Sequence, residues 1–183
     1  RQLVPDVLLW RARAQIRDGA LQAAEHTLDA LASSEPEHSP LQQQSIHLLT
    51  ARLHLARGEA ATALSLLEQL LSRAQEDQHV LRVLEIQVLI SLAHASLKQG
   101  PESSQQLTLV LAQARGEGFL RLFLDEGELM SAFLREHLPS ITEKPLRAFA
   151  QSILHAFTYP FSPQASSPDS PLLEPLSAQE QRV

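Results

Sequence analysis

The chain has 183 residues, a formal net charge of -6, 44% hydrophobic but only 4% aromatic residues, and no cysteine. Disulfides, thiolate zinc sites and cysteine nucleophiles are excluded, and the acidic balance argues against nucleic-acid binding by this chain itself. Leu, Ala, Gln and Glu dominate, a mixture that suits close-packed helix faces and offers little to strands, so an all-α protein is predicted.

From the start, Leu8, Leu9, Ala12 and Ile16 form one apolar stripe and Leu21, Ala24, Leu28 and Leu31 another, with Gly19 between them. This is a helix, a tight turn and a second helix. The two prolines of Glu35-Pro36-Glu37-His38-Ser39-Pro40 then interrupt the pattern, and the unit begins again. Placing Gly58 on Gly19, an offset of 39, superposes Leu48 on Leu9, Ala51 on Ala12, Arg52 on Arg13, Ala63 on Ala24 and Leu67 on Leu28. A third copy follows when Gly100 is placed on Gly58 at an offset of 42: Ile90, Ala93, Leu97 and Leu109 fall on Leu48, Ala51, Leu55 and Leu67, while Gln105 falls on Ala63. Three helical hairpins over residues 1–116 are thus expected to stack into a right-handed superhelix, each burying the face its neighbour leaves open.

Residues 117–159 are expected to cap that stack. Gly118 to Arg135 holds three of the six phenylalanines and the only methionine, and reads as two short helices broken at Gly127. Asp125-Glu126, just before that glycine, is expected to cap a helix start rather than act as a catalytic carboxylate pair. Leu146, Phe149, Ala150, Ile153, Leu154 and Phe157 then predict an amphipathic helix docked on the last repeat. Residues 160–175, with five of the eleven prolines, read as a linker, and 176–183 as a new domain begun and cut off, with Ser177 and Glu180 in capping-box relation. No initiator methionine, signal sequence or transmembrane run is visible, so the chain is expected to be a piece of a larger soluble, cytoplasmic protein without membrane contact.

The first helix of each hairpin should line the concave surface of such a stack. Six residues before the turn glycines stand Arg13, Arg52 and His94, and seven before those stand Asp6, Ser45 and Gln87. Seven residues is two helical turns, so each helix offers two polar groups on one face with an apolar residue between them. These six are the candidate effector-binding residues, with Arg13 and Arg52 suited to clamp a carboxylate or phosphate. His47 and His54, two turns apart, are too distant to chelate one ion, so no metal site is expected. Neither a Gly-x-x-x-x-Gly-Lys-Ser/Thr loop nor a nucleophile-and-base set occurs, so no catalytic residue is assigned and an enzyme is not expected.

The small-and-large pattern around each turn, over residues 4 to 116, resembles tetratricopeptide repeats. Gly118-Phe119 through Arg121-Leu122-Phe123-Leu124-Asp125-Glu126-Gly127 resembles the end of the repeat region in MalT-like, LuxR-family ATP-dependent transcriptional regulators. Glu174-Pro175-Leu176-Ser177 with Glu180 and Val183 resembles the entry to the LuxR-type helix-turn-helix domain. The resemblance implies an effector-sensing and signal-coupling domain that binds a small-molecule effector or a regulatory protein and is capable of self-association. It also implies ATP as a cofactor only for a module preceding this chain, and DNA contact only through the domain that follows. The alternative is a generic protein-protein interaction scaffold with no attached regulatory ATPase.

Overall fold

Each apolar stripe forms a helix in the computed structural model, which describes residues 3–33 and 39–159. The linker and domain-entry expectations for 160–175 and 176–183 lie outside the described residues. Three antiparallel hairpins come first: α1 (Leu3–Arg17) with α2 (Leu21–Ala32), α3 (Pro40–Ala56) with α4 (Ala60–Glu76), and α5 (Val80–Ser96) with α6 (Gly100–Glu117). α7 (Arg121–Leu124), α8 (Gly127–His137) and α9 (Lys144–Thr158) follow. Among the described residues there is no strand, and no helix is long and apolar enough to cross a membrane. The architecture is an all-α, TPR-like helical repeat.

The helices pack within each hairpin and between successive hairpins, with α1 against α3 and α3 against α5 along one side. α3 is buried on two faces, which explains why its sequence lacks a clean amphipathic stripe. Ile46, Leu49 and Leu53 join Ala12, Ala24, Leu28 and Leu31 in a small core belonging to the first hairpin. Leu48, Ala51 and Leu55 join a larger core that runs without a break to Ile153 of α9. α3 starts cleanly because Pro40 occupies its first turn and Ser39 caps it: the Ser39 hydroxyl accepts from the Gln42 amide, and the Gln42 side chain accepts from the Ser39 amide.

The turn inside each hairpin has one form. Gly19 and Gly58 adopt φ of +76° and +79°, and the next amides, of Ala20 and Glu59, donate to the carbonyls of Gln15 and His54. The third turn has the same form but not the expected residue. Lys98 takes the positive φ, +60°, Gln99 donates to the His94 carbonyl, and Gly100 begins α6. The offset of the third unit is therefore 40 from Gly58 to Lys98, not 42. In this register Ser91 falls on Ala51, Ser103 on Ala63, Leu107 on Leu67 and Val110 on Leu70, and all four are buried as their counterparts are. The misfit of Gln105 on Ala63 disappears.

A lysine in the left-handed region carries about 1 kcal/mol of strain that glycine escapes. Lys98→Gly is therefore expected to raise stability by about 0.5–1 kcal/mol, and Gly58→Ala to lower it by about 1 kcal/mol. A Cβ at Gly58 meets nothing within 4 Å, so its cost is conformational rather than steric. Urea unfolding of the two variants checks the pair; a destabilised Lys98→Gly would contradict the register.

Candidate functional site

The inner helices α1, α3 and α5 and the turn between α7 and α8 enclose a cleft of about 700 Å³. Leu55, Leu89 and Leu92 supply apolar walls, Trp10, Arg13 and Arg17 come from α1, Arg52 from α3, and Arg121 with Leu124 through Leu129 close the remaining side.

The two arginines already hold carboxylates. Arg52 Nε donates to both carboxylate oxygens of Glu126 at 3.1 Å, and its Nη2 donates to Glu126 Oε1 at 2.6 Å and to Glu85 Oε1 at 2.9 Å. The Arg52 and Glu126 side chains are only 8% and 7% exposed. Burial alone would lower the pKa of Arg52, but the carboxylate of Glu126 and then that of Glu85 outweigh it and hold the guanidinium above its ordinary value, so it stays cationic. Arg82 extends the network, donating to Glu85 Oε2 at 2.8 Å and to Ser45 Oγ at 3.1 Å. Arg13 Nη2, from the first hairpin, donates to Asp125 Oδ2 at 3.1 Å.

Asp125 and Glu126 thus do something other than what their position suggests. Glu126 is the residue before α8, yet its side chain makes no capping hydrogen bond, and Asp125 ends α7. Both reach back across the stack, over 112 and 74 residues, to the first and second hairpins. For Glu126, three charge-assisted bonds from a buried guanidinium outweigh one cap to a backbone amide.

Of the six expected effector-binding residues, Arg13 and Arg52 line the cleft together. Asp6 Oδ1 accepts from Gln42 Nε2 at 3.2 Å, and Ser45 donates to the Leu41 carbonyl while accepting from Arg82; neither lines the cleft. Gln87 and His94 lie off it as well: Gln87 Oε1 is buried without a hydrogen-bond partner among the described residues, and His94 Nδ1 sits 2.7 Å from Gln99 Oε1. The register explains the last two. Counted back from Lys98, the third-hairpin counterparts of Arg52 and Ser45 are Leu92 and Glu85, and Leu92 does line the cleft while Glu85 does bond Arg52. His94 is instead the counterpart of His54, whose Nδ1 lies 2.6 Å from Glu59 Oε2 across the same turn. The buried small residues Ser91 and Ser103, matching the alanines of the earlier copies, were the signal for this register. Trp10 and Leu129, on the cleft lip, are exposed, and Trp10 lies outside the apolar stripe of α1.

A stack of helical hairpins whose capping turn folds back onto its inner face defines the class: a helical-repeat domain built to present an inner cleft. The model of the MalT-like TPR region matches residues 3–139, from α1 through α8 and the cleft's closing turn, and the chain belongs to that family. No curated protein and no solved structure matches the chain.

Proposed function

We propose that this chain is the effector-sensing and signal-coupling part of a cytoplasmic MalT-like transcriptional regulator, without catalysis of its own, and that its effector occupies the inner cleft. The observation that supports this reading is the convergence of three hairpins and the α7–α8 turn on one cleft of about 700 Å³, a volume in the range of small-molecule sites. A ligand there touches the first hairpin, the second, the third and the capping segment at once, so binding energy feeds directly into their relative placement. ATP and DNA belong to modules outside the chain. In the intact regulator, Arg13→Ala is expected to raise the effector concentration for half-maximal activation about tenfold, the size of one lost charge-assisted bond. The melting temperature should stay nearly unchanged, because the Arg13 pair is exposed. An unaltered response rejects the cleft as effector site.

A protein-binding scaffold is the second reading, and it is supported by Leu41 and Leu81. Both are exposed, and they are 40 residues apart at the same position of α3 and α5. Loss of response in Leu41→Ser with Leu81→Ser, and not in Arg13→Ala, would favour it.

A further inference from the structure

The charges of the cleft are unequally held. Arg52 is committed, buried between two carboxylates. Arg13 is not: it makes one bond, to Asp125, and the two side chains are 33% and 46% exposed. Among the described residues Arg17 pairs only with its neighbour Asp18, at 3.6 Å with both groups well exposed, and Arg121 has no ion-pair partner. Trp10 lies one turn before Arg13 on α1 and Arg17 one turn after, so spacings of three and four put an indole and two guanidinium groups on one stripe. All three line the cleft, and Trp10 is 75% exposed at its mouth.

We propose that this stripe binds a small anion with an aromatic or apolar body, a carboxylate or a phosphate ester, whose charged head takes Arg13 from Asp125 while its ring lies against Trp10. This rests on the reading of the cleft as a ligand site and names the chemistry of the ligand. Asp125 shows that Arg13 can take a carboxylate here, through one bond from Nη2 to Oδ2, and guanidinium donates to phosphate oxygens in the same way. The apolar walls Leu55, Leu89 and Leu92 suit the body and not the head. Displacing Asp125 loosens the tie between the first hairpin, which has its own small core, and the α7–α8 turn. Glu126 remains anchored on Arg52, so the turn swings on a fixed post rather than unfolding.

Trp10 is the only tryptophan of the chain, so its emission reports this site alone. The 183-residue chain is titrated with benzoate and with phenyl phosphate, with uncharged benzamide as reference. Both anions should give a saturable change at millimolar concentration or below, and the tighter of the two identifies the head group. Arg13→Gln should weaken binding about tenfold, and Asp125→Asn should tighten it about threefold by removing the internal competitor. Amide exchange at 121–126 should quicken when phenyl phosphate binds, with circular dichroism showing both variants folded. Benzamide binding as well as benzoate, or an Asp125→Asn variant with unchanged affinity, overturns the proposal while leaving the cleft a ligand site. No saturable change with either anion up to about 20 mM overturns it too. The broader reading fails separately, on an intact regulator indifferent to Arg13→Ala.

Discussion

Glu126→Ala is expected to lower the stability of the chain by about 3 kcal/mol, because it strips the main counterion from a guanidinium that is nearly out of water. Asp125→Ala, one residue earlier, should cost less than about 1 kcal/mol, since that pair is exposed and screened. Adjacent acids with so different a cost are a direct reading of burial. Removing both charges of the buried pair should restore much of the loss: in Arg52→Met with Glu126→Leu no charge is stranded, and Glu85 keeps Arg82. Urea unfolding of the four chains measures all of this. A Glu126→Ala cost under about 1 kcal/mol would show that the tie across the stack contributes little.

Phe123→Ala should cost about 3–5 kcal/mol. Phe123 is fully buried and meets Phe149 of α9 edge to face, with ring centroids 6.2 Å apart and planes at 83°. α7 has only four residues and cannot hold itself by its own hydrogen bonds, so Phe123, fully buried between the partly buried Leu122 and Leu124, is its main attachment to the larger core. The loss should be local first, with amide exchange at 118–126 rising above that of α3 or α4. Leu67→Ala, buried in α4, is the reference of similar cost. If the capping segment couples sensor to output, Phe123→Ala in the intact regulator alters effector-dependent activation more than Leu67→Ala does. Equal effects from the two variants would reduce Phe123 to a core residue.

The helices and hairpin order were legible because they are local. Apolar residues at three-and-four spacing, a glycine in each of the first two turns and prolines at helix starts act over a few residues and leave their mark in any one repeat. Register in the third unit was harder. Lys98 carries a conformation that normally advertises glycine, and Gly100 two residues later offers a decoy. The small buried residues Ser91 and Ser103 held the true alignment, although serine reads as polar when its burial is unknown.

By itself the sequence determined an all-α helical repeat and set Arg13 and Arg52 at matching positions of successive hairpins, since both follow from periodicity along the helices. It could not determine what those arginines meet. A guanidinium and a carboxylate 74 or 112 residues apart have no mutual periodicity, and Asp125-Glu126 before Gly127 looks locally like a helix cap. Only the stacking of three hairpins brings the turn back over the inner face. There burial makes Glu126 a fixed partner of Arg52 and exposure leaves Asp125 a replaceable partner of Arg13, a difference set by solvent access rather than by residue type.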